Sequence, residues 1–84
     1  MRYYSITFRS VTFAQKGESV LHSAGIDCTI RRTPRWMEAQ GCGYCLRLRP
    51  KDSGSAVALL KKNQIPFRKV YMELDNGNVE EVEL

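Results

Sequence analysis

The sequence predicts a small α+β domain in which two helices lie on one face of an antiparallel sheet, and three observations carry that prediction. Four stretches alternate apolar and polar residues with the period of two that turns one side of a strand toward a core. Two stretches between them repeat apolar residues at the three- and four-residue spacing of a helical face. The halves also echo each other: Leu21 stands five residues before Ile26, as Leu60 stands five before Ile65, each pair at a helix stop. The resulting order, β-α-β-β-α-β, is that of a ferredoxin-like sandwich with a four-stranded antiparallel sheet, two helices on one face and the other face open.

In the first strand, residues 2–8, Tyr4, Ile6 and Phe8 fall on one side and Tyr3, Ser5 and Thr7 on the other. Ser10 is placed to cap a helix through its hydroxyl, and Ala14, Gly17, Leu21 and Ala24 form the apolar face of that helix. Gly25 ends it, because glycine accepts the left-handed backbone of a helix terminus. Ile26, Cys28 and Ile30 then alternate with Asp27, Thr29 and Arg31 as the second strand. Thr33 followed by Pro34 reads as a cap with proline at the first helical position, predicting a short helical segment before Gly41. Tyr44, Leu46 and Leu48 alternate with Cys45, Arg47 and Arg49 in the third strand, which Pro50 stops. Asp52 or Ser53 caps a second helix whose face is Ala56, Leu59, Leu60 and Asn63, with Asn63 as its left-handed terminator. Residues 67–74 supply the fourth strand, with Val70, Met72 and Leu74 inward. Residues 1–74 thus make one ferredoxin-like domain, and residues 75–84 an acidic hairpin or tail, the hairpin signalled by Asn76-Gly77.

Eighty-four residues, 43% hydrophobic and 26% charged, have the composition of an ordinary globule rather than of a disordered or disulfide-scaffold chain. No apolar run reaches the length of a membrane span, and the first residues lack the apolar region of a signal peptide, so a cytoplasmic protein with no membrane partner is expected. Three cysteines cannot all pair within one chain, which agrees with a reducing compartment. The net charge of +4 conceals an asymmetry: residues 1–70 carry all thirteen bases against four acids, while residues 71–84 carry five acids and no base. A basic body attracts anionic partners without choosing among them. The open face should carry Tyr3, Ser5, Thr7, Thr29, Arg31, Cys45, Arg47, Arg49, Lys69 and Tyr71. Base stacking on Tyr3 and Tyr71 would make it a nucleic-acid-binding surface, but arginines stand where RNA-binding modules of this topology place aromatics and their signature is absent. A small open sheet could also dimerise.

Two of the three thiols fall in Cys42-Gly43-Tyr44-Cys45, a C-x-x-C motif with Arg31, Arg32, Arg35, Arg47 and Arg49 nearby in sequence. Arginine beside a thiol favours the thiolate, the form that attacks. Cys28 alternates with Ile26 and Ile30 and is read as core packing, and His22 as a rim residue. Zinc is disfavoured because no second C-x-x-C or histidine pair accompanies the first, so no metal or cofactor is expected. A dithiol redox pair is a closer rival, although such pairs sit where a helix begins and this one enters a strand. Two ordinary cysteines in a turn and a strand remain the plain alternative.

The opening YYSITFRS, the helix ending LHSAGI, the tripeptide Thr33-Pro34-Arg35, the pair Cys42-Gly43 and the run IPFRKVYMEL together resemble a small bacterial family of selenium or sulfur carrier-like proteins, over residues 2–74. The resemblance implies a cytoplasmic thiol protein, a carrier or accessory rather than a stand-alone enzyme, working beside cysteine desulfurases or other selenium- and sulfur-transfer proteins. It carries over Thr33, Pro34, Arg35, Cys42 and Gly43; Cys45 and residues 36–40 are outside it. Joined to the residue reading, it predicts that Cys42 accepts sulfur or selenium as a persulfide-type adduct. Arg35, Arg31 and Arg47 would favour the anionic forms, flanking glycines would give access, and Cys45 would resolve the adduct.

Overall fold

The computed structural model describes residues 3–32, 43–74 and 79–82. In chain order they form β1 (Tyr3–Phe8), α1 (Val11–Ser23), β2 (Cys28–Arg32), β3 (Tyr44–Leu48), a 3-10 turn (Pro50–Asp52), α2 (Ser53–Lys62), β4 (Val70–Glu73) and β5 (Val79–Val82). The strands make one antiparallel sheet in the order β2-β3-β1-β4-β5. The α+β class stands, but the four-stranded ferredoxin-like sheet is corrected to five strands. Of the two readings of the chain's acidic end, hairpin or tail, the structure has a return strand: β4 is covered by β5, whose Val82 lies opposite Val70 and packs against the core. Glu81 of β5 reaches Lys69 at 3.4 Å, so the acidic end of the chain is drawn onto the basic body.

Local chemistry sets the element ends. Ser10 is the N-cap of α1, its Oγ accepting from the Phe13 N–H at 3.3 Å. Both helices then stop in the same way. Gly25 N–H donates to the His22 carbonyl and Ile26 N–H to Leu21; Gln64 N–H donates to Lys61 and Ile65 N–H to Leu60. These are two Schellman motifs, in which an apolar residue beyond the helix packs back on its last turn. The echo of Leu21 with Ile26 and Leu60 with Ile65 is therefore a repeated stop signal. It also explains two departures from expectation. Ile26 is used in the cap, so β2 begins at Cys28, and the left-handed residue after α2 is Gln64 (φ 57°) rather than Asn63, which is the C-cap. Asn63 instead donates its side-chain amide to the Leu59 carbonyl at 2.8 Å.

Other details shift for packing reasons. Ala24 is exposed, being the C-cap of α1 and not part of its buried stripe. Asp52 occupies the N-cap position of α2 without a side-chain bond, while the Ser53 hydroxyl donates to the Pro50 carbonyl at 2.8 Å. The buried face of α2 is Ser53, Ala56, Val57 and Leu60, rotated away from Leu59 and Asn63. Close approach of α1 sets that rotation. A Cβ on Gly17 would stand 3.1 Å from Leu46, 3.2 Å from Leu60 and 3.2 Å from Phe8, so the missing side chain lets α1 settle against both the sheet and α2.

A single cluster results. Ile6 and Phe8 of β1, Leu46 and Leu48 of β3 and Val70 of β4 meet Ala14 and Leu21 of α1 and Ala56, Val57 and Leu60 of α2. Both helices therefore cover the same sheet face. At the far end of β1 the pairing with the approach to β4 is irregular: Thr7 N–H donates to the Lys69 carbonyl at 2.8 Å, while Arg68 N–H donates to the Thr7 carbonyl at 2.7 Å. Two residues thus face one, the arrangement of a β-bulge, and β4 begins regularly only at Val70 rather than at Phe67.

Candidate functional site

The sheet face away from the helices is built in cross-strand rows. Register places Arg31 of β2 and Thr7 of β1 on either side of Cys45 in β3, within the ~4.5–5.5 Å between Cβ atoms of facing strand residues. The next row is Thr29, Arg47, Ser5, Tyr71 and Glu81. Alternation along each strand predicts this face, and its members fall there as expected. Their burial was not expected: Ser5, Thr7 and Cys45 are 2%, 0% and 3% exposed. Thr7 meets its polar obligation locally, its hydroxyl donating to the Lys69 carbonyl at 3.2 Å and accepting from the Lys69 N–H at 2.9 Å.

The cations expected to make this face basic are largely matched by acids. Arg47 Nε lies 3.2 Å from Glu73 Oε2, and its guanidinium sits 3.9 Å from the centre of the Tyr3 ring. Neither of those two atoms has a hydrogen-bond partner of good geometry, so the Arg47–Glu73 contact is a charge attraction rather than an aligned bond. Lys69 pairs with Glu81, and Arg49 stands 4.0 Å from Asp27. An anionic nucleic acid would have to compete with these carboxylates. Alternation in the fourth strand puts Glu73 outward with Lys69 and Tyr71, but its pairing with Arg47, and that of Glu81 with Lys69, join different strands and are not legible in it.

Of the residues singled out for thiol chemistry, Thr33, Pro34, Arg35 and Cys42 lie outside the described residues, as does the helical segment expected before Gly41. Gly43 is buried immediately before β3. Cys45 is in β3 with Arg31 as a register neighbour, whereas Arg47 is held by Glu73 and Tyr3 one row away. Arg32 faces Tyr44 at the end of β2. Thus β2 ends and β3 begins at the same edge of the sheet, the edge nearest in sequence to Cys42.

Cys28 lies at the other end of β2, four residues before Arg32 and opposite Leu48. It packs against the core but is half-buried rather than enclosed. Burial, then the negative charges of Glu18 and Asp27, push its thiol up to about 11 from an ordinary 9.0. Exposed His22 donates from Nε2 to the Cys28 carbonyl at 3.1 Å, which gives the imidazole a structural task. Among the described residues no group of three His, Cys, Asp or Glu side chains could hold a metal ion, and no helix is long and apolar enough to cross a membrane.

Comparison with protein families finds a match over residues 3–72 to the family described as "Putative Se/S carrier protein-like". The matched span runs from β1 into β4 and contains all three cysteines. Searches of curated proteins and of solved structures give no significant match.

Proposed function

The chain belongs to the Se/S carrier protein-like family, and on that premise we propose that it carries sulfur or selenium on Cys42, with Cys45 as the thiol that releases it. The single observation carrying this reading is that the family match spans Cys42 and Cys45 together with the strands on either side of them.

The chemistry balances without an added oxidant. The Cys42 thiolate attacks the outer sulfur of a donor persulfide, such as that of a cysteine desulfurase; the donor S–S bond breaks, its thiolate leaves, and a Cys42 persulfide forms. An acceptor nucleophile can then take the outer atom and return Cys42 as thiolate. Alternatively, the Cys45 thiolate attacks the Cys42 Sγ. The outer sulfur leaves as sulfide, reduced by two electrons, while the two thiols become a disulfide that a cellular dithiol must reduce. Burial of Cys45 supports this division of labour, because a shielded thiol is kept from bulk electrophiles. Arg31, a register neighbour of Cys45 across the β2–β3 pair, brings a positive charge to that part of the sheet, and such a charge would favour a thiolate on Cys45.

The test is to incubate reduced wild type, Cys42→Ser and Cys45→Ser with a cysteine desulfurase and cysteine, then to locate added sulfur by intact-mass and peptide mass spectrometry. Carriage predicts one added sulfur on Cys42, absent from Cys42→Ser and longer-lived in Cys45→Ser. A Cys42–Cys45 disulfide in wild type with no sulfur ever gained by Cys45→Ser would replace the carrier reading with a dithiol redox role.

A further inference from the structure

We propose that copies of this chain associate head to tail through the two edges of the sheet, the β2 edge of one copy pairing with the β5 edge of the next. This goes beyond the carrier reading and uses none of the cysteines. β2 and β5 are the terminal strands in the order β2-β3-β1-β4-β5, so each has one side with no strand beside it among the described residues. Such a side presents backbone N–H and C=O groups with which a further strand can pair.

The two edges carry opposite charge. β2 holds Arg31 and Arg32, both exposed, and no acid; β5 holds Glu80 and Glu81, both exposed, and no base. Neither arginine nor Glu80 has an ion pair among the described residues. Glu81 is engaged with Lys69, but its side chain is 53% exposed and stays open to a second cation.

The charges also fall on matching sides. Arg32 shares the helix side with Cys28 and Ile30, and Glu80 shares it with Val82; Arg31 and Glu81 lie on the other side. Every neighbouring pair in the sheet is antiparallel and four steps separate β2 from β5, so these two strands run in the same direction. A second copy shifted sideways, without turning over, therefore lays its β5 parallel to β2 with the helices of both copies on one side. Arg31 can then meet Glu81 on one face and Arg32 can meet Glu80 on the other, while the half-buried Ile30 and Val82 share the helix side. The symmetric alternatives bring like charges together: β2 against β2 sets arginines beside arginines, and β5 against β5 sets glutamates beside glutamates. Like charges across an interface work against it, so the edges select the head-to-tail pairing. That pairing is heterologous and does not stop at two copies unless rotation closes a ring.

Sedimentation velocity of the wild-type chain over a rising concentration series at low salt tests this. Edges of four and five residues bury less than the ~800 Å² per partner of a standard stable complex, so association should be weak and emerge toward the top of the series. The expected result is a weight-average sedimentation coefficient that climbs past that of a dimer, with an association constant that falls about tenfold or more when salt is raised to ~0.5 M. Arg31→Glu/Arg32→Glu and Glu80→Lys/Glu81→Lys, each checked by circular dichroism for the wild-type fold, should stay monomeric alone. Mixing the two should restore association, because each then supplies the charge that the other's altered edge now needs. A wild type that stays monomeric throughout, a plateau at the dimer, association indifferent to salt, or a mixture of folded variants no more associated than its components would each overturn the proposal. The concentration and salt series are made on wild type and so do not depend on the variants folding.

Discussion

On the helix side of the central strands, Ile6, Phe8, Leu46 and Leu48 are between 0% and 2% exposed; on the other side of the same strands, Ser5, Thr7 and Cys45 are between 0% and 3%. Equal depth is reached with different materials. The first set is sealed by apolar volume, with α1 seated so closely that Gly17 has no room for a side chain without its neighbours giving way. Around the second set stand hydrogen bonds and ion pairs: the Thr7 hydroxyl on the Lys69 backbone, Arg47 with Glu73 and Lys69 with Glu81. Burial alone therefore does not identify a core. The two faces should respond differently to substitution, because apolar packing and polar satisfaction contribute on different scales.

The largest difference should come from Phe8→Ala, which removes a fully buried ring from the cluster. A loss of about 3–5 kcal/mol is expected from chemical denaturation. Thr7→Val keeps the volume at an equally buried position but removes the hydroxyl, leaving the Lys69 N–H without that acceptor. It should cost about 1–2 kcal/mol, with Thr7→Ser losing less. If Thr7→Val proved as damaging as Phe8→Ala, the distinction between the faces would collapse. Smaller still is the Arg47–Glu73 pair, whose side chains are 31% and 27% exposed; a double-mutant cycle with Arg47→Gln and Glu73→Gln should give a coupling of about 0.2–1 kcal/mol, shrinking with added salt.

A pH-dependent effect belongs to Cys28, on the helix side but at its rim. Its folded thiol holds its proton up to about 11 against an ordinary 9.0, first through burial and then through Glu18 and Asp27. As pH rises the unfolded chain loses this proton first. The contribution is therefore complete below pH 9.0 and is lost as pH climbs through about 11. Denaturation midpoints measured across that window should fall, and fall less steeply in Cys28→Ala; the same slope in both proteins would mean that Cys28 is not shielded in the folded state.

Much of the fold was legible because its signals are short-range. Tyr4, Ile6 and Phe8 alternate within one strand, Ser10 caps from three residues away, and Gly25 ends its helix at the residue where a left-handed backbone is needed (φ 80°). Where two local signals competed, reading was less secure. Asn63 is the better left-handed residue by propensity, yet Gln64 takes that conformation because Ile65 must reach back to Leu60. The C-x-x-C motif was visible as chemistry, but Cys45 as a buried neighbour of Thr7 and Arg31 was not, since those contacts join three strands.

The sequence by itself determined the first four strands and the two helices, the inward side of the central strands β1 and β3, and the motif that holds two of the three thiols, because all of these follow from residue type and spacing within about one turn or a few strand positions. Only the tertiary structure decided that β5 joins the sheet and that Arg47 and Lys69 find carboxylates of the protein itself. The reason is physical: a charge or a hydroxyl carries no record of its distant partner, and strand register, which brings residue 7 beside 69 and 73 within reach of 47, is set by the sum of packing over the whole sheet.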